Sequence, residues 1–205
     1  MKAFWDERFG RKEYIYGKEP NEYFRQWIDG QNRPGKILLP AEGEGRNAVY
    51  AAQNGWEVTA FDQSDTGRTK AITLAEHTGV DLQYDVADGL DANYPEEHFD
   101  AVGLVYAHFP MKIRSQVHRN IISWLRPGGS VIMEGFNQDH LEWKKENPSV
   151  GGPDNPELLF TEDEIKRDFS SCEVIELKNE VVRLNEGRFH VGKGSVIRFI
   201  GKKKH

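Results

Sequence analysis

Cysteine is almost missing from the 205 residues: Cys172 stands alone, so no disulfide can form within the chain and a reducing, cytoplasmic setting is expected. No stretch approaches the roughly 18 consecutive apolar residues of a membrane span. The opening residues, with Lys2, Asp6, Glu7 and Arg8 among the first eight, are too charged for a secretory signal. A positive surplus is missing as well. Basic side chains number 27 against 33 acidic ones, a net charge of −6, which argues against a nucleic-acid backbone as partner. The basic run Lys202-Lys203-Lys204 reads as a solvated tail. The seven histidines and the single cysteine make no metal-ligand spacing, so no metal is expected.

What is present is organised around residues 36–64. Ile37, Leu38 and Leu39 make a short apolar run suited to a buried parallel strand, and Pro40-Ala41-Glu42-Gly43-Glu44-Gly45 breaks it. A helix then begins, with Val49, Ala51 and Ala52 as its sheet-facing side and Gly55 at its end. Val58 to Phe61 is a second strand, and Asp62 stands past its carboxyl end. Glycines 43 and 45 leave room for a ligand to reach free N–H groups at the helix start. A carboxylate at the next strand end can accept hydrogen bonds from two adjacent ribose hydroxyls, in the crevice where open α/β sheets bind nucleotides. Two cofactor classes fit these residues, because Gly43-Glu44-Gly45-Arg46-Asn47-Ala48 also satisfies the loose dinucleotide pattern G-x-G-x-x-G/A.

Ahead of this unit, residues 4–35 are rich in aromatics: Phe4, Trp5, Phe9, Tyr14, Tyr16, Tyr23, Phe24 and Trp27. Spacings of four (Tyr23 with Trp27, Phe24 with Ile28) predict a helix over about 20–29. The segment reads as a cap on the sheet or as a lid, with Trp5, Tyr14 or Tyr16 closing over a ligand. After the unit, a helix over 67–78, a short strand at 82–84, an apolar strand at 99–106, a helix with Ile113, Val117, Ile121 and Leu125 on one stripe, and a strand at 130–136 keep the rhythm of parallel crossovers. Residues 137–160 are polar and turn-rich, a connection long enough to have a role. Thr161 to Glu164 fits a capping box. Residues 172–202 read as a hairpin turning at Asn185-Glu186-Gly187, so at least one final strand must be antiparallel.

These residues, taken in order, resemble a class I S-adenosylmethionine-dependent methyltransferase, within the small tellurite-resistance and thiopurine group. The resemblance is carried by Tyr16-Gly17 with Pro20-Asn21, the glycine turn, Asp62, Asp85, the Leu125-Arg126-Pro127-Gly128-Gly129 turn and the final hairpin. It implies an α/β Rossmann-like three-layer sandwich with a seven-stranded, mostly parallel sheet and an antiparallel strand from the C-terminal hairpin. One domain over 1–205 is expected: a lid at 1–35, a cofactor-binding core at 36–136, a substrate-side loop and helix at 137–170, and the hairpin at 171–205. The cofactor would be S-adenosylmethionine, leaving as S-adenosylhomocysteine. Tyr16, Ala41, Glu42, Gly43, Asp62, Gln63, Asp85, Val86, Val105 and Tyr106 are the expected cofactor contacts, Asp62 at the ribose and Asp85-Val86 at the adenine. Trp5, Phe109, Arg188 and His190 are the expected substrate contacts, and His108 the candidate for accepting a substrate proton.

One departure stands out, since the family's first motif commonly reads D-x-G-x-G-x-G, with an acidic residue two before its first glycine, and this chain has Leu39 and Ala41 at those two places. Alanine disfavours positive φ, and the lost carboxylate leaves Glu42 and nearby carbonyls to compensate. Methyl transfer needs mainly positioning and a dry site, so no triad is expected. The reading is a methyltransferase acting on a small molecule through sulfur, selenium, tellurium or nitrogen. It would be free of nucleic acid and membrane, and a monomer or weak homodimer. An NAD(P)-dependent oxidoreductase and a non-catalytic S-adenosylmethionine-binding protein are the alternatives.

Overall fold

Ile37, Leu38 and Leu39 are fully buried, and alternation sends Leu38 into one hydrophobic core and its two neighbours into another. That is the two-sided burial of a central parallel strand. In the computed structural model, which describes residues 2–205, they form β1 (Lys36–Pro40). β2 (Glu57–Asp62), β3 (Gln83–Val86), β4 (Phe99–Val105), β5 (Leu125–Phe136), β6 (Cys172–Glu186) and β7 (His190–Lys203) complete one sheet. Its order is β3-β2-β1-β4-β5-β7-β6. The first five are parallel, and β7 runs antiparallel between β5 and β6. The seven-stranded, mostly parallel sheet with an antiparallel C-terminal strand is therefore the observed architecture.

Helices cover both faces. In chain order they are α1 (Lys2–Phe9), α2 (Glu22–Asp29), α3 (Arg46–Gln53), α4 (Asp65–Thr78), α5 (Met111–Trp124), α6 (His140–Glu146) and α7 (Glu162–Asp168). Phe24, Ile28, Ala48, Ala51 and Ala71 bring α2, α3 and α4 onto Ile37, Leu39 and Ala60. Val117, Ile121, Trp124 and Ile165 bring α5 and α7 onto Leu38, Val102 and Met133 on the other side. A Cβ at Gly103 of β4 would lie 2.6 Å from Leu39 Cδ2 and 2.8 Å from Phe24 Cε2, so glycine is what lets α2 settle so near the sheet.

Local signals hold where expected. Asn21 caps α2 by accepting from Phe24 N at 3.0 Å, and Thr161 Oγ1 accepts from Glu164 N at 3.2 Å. Gly55 follows α3 with φ 86°, in the left-handed region. Other boundaries differ. β5 begins at Leu125 and absorbs Pro127-Gly128-Gly129, which the sequence reading placed in a turn. The hairpin turn falls on residues 187–189, because Asn185 and Glu186 remain paired with Val191 and His190. α1 falls in the segment expected as a cap or lid, and α6 in the turn-rich connection at 137–160.

Candidate active site

The strand ends of β1, β2 and β4 open onto a cavity of about 510 Å3. Its floor is the glycine turn. Gly43 and Gly45 have φ of 65° and 87°, and Ala41 holds φ 53°, a strained value for a residue with a Cβ. The amide of Gly43 donates to Asp62 Oδ2 at 3.2 Å, and that of Ser64 to Asp62 Oδ1 at 2.8 Å. Asp62 is nearly buried, and desolvation pushes its carboxyl up to about 6 despite those two bonds. A carboxylate has about four lone-pair directions, so two remain for hydroxyl donors in the cavity.

Glu42 caps α3 from outside the helix. Its Oε1 accepts from the amides of Asn47 and Ala48, each at 2.8 Å, while Oε2 has only a 3.4 Å contact from Asn47 Nδ2. Burial pushes this carboxyl up to about 7, against the pull of the helix amides and Arg46. Leu39, at the position of the family's carboxylate, is fully buried in the core and does not reach the cavity.

Among the cofactor contacts expected from sequence, Tyr16, Ala41, Glu42, Gly43, Asp62, Gln63, Val105 and Tyr106 line this one cavity. Asp85 and Val86 do not line it. Asp85 pairs with Phe61 in the sheet, and its Oδ2 accepts from Tyr94 Oη at 2.9 Å; Val86 is exposed. Ala87, Asp88 and Gly89 lie on the cavity in their place, a shift of a few residues caused by β3 running on to Val86.

Much of the remaining lining is aromatic. Trp5, Phe109 and His190 line the cavity as expected, with Phe4, Phe9, Phe136 and Phe189. Trp5 stacks on Phe9 at 5.3 Å, so α1 presents aromatic rings to the cavity. Arg188 is outside the lining; its amide donates to Ile15 O at 2.8 Å, which ties the hairpin tip to the N-terminal segment.

His108 lines the cavity but has no free nitrogen. Nδ1 lies 2.7 Å from Leu158 O, and Nε2 accepts from Phe136 N at 3.2 Å. Burial pushes it down to about 3, so it stays neutral and braces two loops. The expected role as proton acceptor does not suit a ring with both nitrogens engaged.

Arg8, Arg46 and Glu186 were missed. Arg46 donates to Glu186 Oε2 at 3.0 Å and to Tyr16 O at 3.3 Å, and Arg8 donates to Tyr16 Oη at 3.0 Å. A signal existed for Arg46. A cation in the first turn of a helix opposes the helix dipole, and such a local conflict points to a site.

The residues fit a nucleoside joined to an amino acid. Asp62 supplies a diol acceptor, the backbone of 87–89 a slot beside Phe109, Glu42 a carboxyl acceptor, and Arg8 and Arg46 cations. No Cβ intrudes on the turn at Gly43, where one would meet Phe9 Cζ at 2.9 Å.

Comparison with known proteins agrees. Residues 37–129 match the model of the methyltransferase domain family. The thiopurine S-methyltransferase of Legionella pneumophila (strain Corby) is 23% identical over 92% of this chain and 89% of its own. A structure solved in work on the conversion of a disulfide bond into a thioacetal group during echinomycin biosynthesis superposes with TM-score 0.82 at 19% identity, over 100% of this chain and 92% of its own. The Burkholderia thailandensis 1,6-didemethyltoxoflavin-N1-methyltransferase, solved with 1,6-didemethyltoxoflavin and S-adenosylhomocysteine, gives 0.63 at 16% identity, over 90% of this chain and 78% of its own. Residues 37–129 thus carry a methyltransferase domain, and the chain as a whole has the fold of the class I S-adenosylmethionine-dependent methyltransferases.

Proposed function

We propose that this enzyme methylates a small molecule, at sulfur in preference to selenium, tellurium or nitrogen. The observation that carries the reading is that one cavity is lined both by the polar turn at Gly43 and Asp62 and by the rings of Trp5, Tyr106 and His190. Its volume is in the range of about 300–1,000 Å3 common for small ligands. α1 and the segment at Tyr16-Gly17 line it alongside the sheet, leaving a space suited to a small acceptor.

S-adenosylmethionine, when bound, supplies an electrophilic methyl group on a sulfonium. Asp62 would hold the ribose hydroxyls, and Ala87, Asp88 and Gly89 the adenine. Glu42 would meet the amino group, and Arg46 the carboxylate. Val105 and Tyr106 would face the reacting end. The aromatic rings from α1 exclude water and fix the acceptor behind the methyl group, which supplies most of the rate enhancement. Sulfur is favoured by the S-methyltransferase relative and by the sulfur chemistry named for the structural neighbour.

The test has two stages. Stabilisation by S-adenosylhomocysteine and not by NAD or NADP is expected in a thermal-shift assay. Mass spectrometry of products from small thiols, tellurite, selenite and heterocyclic amines then assigns the acceptor atom; methylation of the amines alone would overturn the preference for sulfur.

A further inference from the structure

We propose that His190, oriented by Glu186, is the base that removes the proton from a thiol acceptor during transfer, so that the enzyme serves acceptors that arrive protonated. This rests on the reading of a sulfur acceptor given above.

The geometry singles out one ring. Three histidines pack around Phe136, and two are fully engaged: His108 as described, and His140 through Gly151 O at 3.1 Å and Ser195 N at 3.3 Å. His190 bonds through Nδ1 to Glu186 Oε2 at 3.1 Å. Its Nε2 has no hydrogen-bond partner among the described residues and is not closed off in the interior, and the ring lines the cavity. Tyr16 and Tyr106 each lie 4.6 Å from it between ring centres, and Phe136 5.3 Å, so the imidazole is packed among three rings.

The tautomer follows from the carboxylate. Glu186 accepts from Arg46 Nη2 at 3.0 Å and from Asn21 Nδ2 at 2.9 Å. Although burial opposes it, Arg46 and His190 hold this carboxyl down to about 2, so it is an anion at neutral pH. An anion facing Nδ1 requires the proton there and leaves the lone pair on Nε2. Burial, with Arg46 and Arg8 nearby, lowers His190 below its ordinary range against the pull of Glu186, which keeps the ring neutral and ready. The groups that face it are Arg8 on α1, Tyr16 on the N-terminal segment, Arg46 on α3, Tyr106 and His108 after β4, His140 on α6, and Glu186 across the hairpin.

In the step, the acceptor's sulfur bonds to the methyl carbon as the carbon–sulfonium bond breaks, and that bond's electron pair stays on the departing sulfur. The acceptor's S–H proton passes to Nε2. The imidazolium is balanced by Glu186 and returns its proton to solvent. A thiol with a pKa of about 8.5 is only a few per cent ionised at neutral pH, which is what makes a base useful.

The experiment compares two probes, benzyl mercaptan, protonated at neutral pH, and 4-nitrothiophenol, already a thiolate. His190→Asn should lower kcat for benzyl mercaptan about 100-fold and make it follow the thiolate fraction as pH rises, with a much smaller loss for 4-nitrothiophenol. Equal losses on both probes, or none on benzyl mercaptan, overturn the proposal. Nitrogen-15 NMR of the ring-labelled protein gives an independent reading, in which neutral His190 with its proton on Nδ1 is expected at pH 7. Glu186→Gln should move the His190 titration to lower pH. A charged ring, or a proton on Nε2, overturns the proposal whatever the thiols do. If the wild type binds S-adenosylhomocysteine yet methylates neither thiol, the sulfur reading fails on its own.

Discussion

The amide of Gly43 donates to Asp62 Oδ2 at 3.2 Å, so the carboxylate at the end of β2 also fixes the turn after β1. Removing it affects the loop and the ligand together. Asp62→Ala should weaken S-adenosylhomocysteine binding by about 1.5–3 kcal/mol, on the order of 10- to 150-fold in Kd. Titration calorimetry checks this, and an unchanged Kd would remove Asp62 from the site.

The raised carboxyl of Asp62 sets a pH dependence with two opposite signs. Its folded pKa of about 6 lies above the ordinary 3.8, so its contribution to fold stability is present below about pH 3.8 and is lost as pH rises through 6. The ribose hydroxyls need the ionised form. The part of the affinity for S-adenosylhomocysteine that rests on Asp62 should therefore be flat above about pH 7 and fall up to tenfold per unit below about pH 6, with proton release on binding near that pH. Calorimetry in buffers of different ionisation enthalpy measures the released proton. Asp62→Asn should abolish this part of the profile.

Arg114 is fully buried on α5 and donates to both oxygens of Glu164, at 2.9 and 2.8 Å, and to Phe109 O at 2.9 Å. It also reaches Glu157 O and Leu159 O, on either side of Leu158 in the cavity wall. Arg114→Leu leaves Glu164 unpaired and should cost about 3–5 kcal/mol in urea unfolding. Adding Glu164→Leu should recover part of that loss, because the stranded charge is gone.

His108→Ala removes bonds to Leu158 O and Phe136 N, and should cost about 1–3 kcal/mol of stability. With both nitrogens engaged in the fold, the ring has no proton to exchange with an acceptor. Loosened walls should raise KM, while the pH–rate profile should keep its shape. A lost ionisation in that profile would restore His108 as a base.

Elements with a strong period were readable from the residues. Val117 and Ile121 on α5 and the largely apolar β1 and β4 mark themselves, and Gly43, Gly45 and Asp62 mark the cavity floor. α1 was hidden because its aromatics serve the cavity as well as the core: Phe9 is buried while Phe4 is largely exposed, so no clean stripe forms. Asp85 and Asp88 are three residues apart, and only the end of β3 decides which of them meets the cavity. The difference between His108 and His190 is one of hydrogen-bond partners distant in sequence, which spacing alone cannot express. Glu186 falls within the turn expected at Asn185-Glu186-Gly187; its pairing with His190 depends on where the hairpin turns.

β7 follows in sequence every strand it touches, yet it lies between two of them and brings His190 to the cavity. During synthesis, then, β6 has no sheet to join until its successor emerges. The cavity lacks one wall up to that moment, so a nascent chain released before residue 190 would hold the loops at Gly43 and Asp62 without the closed space they face.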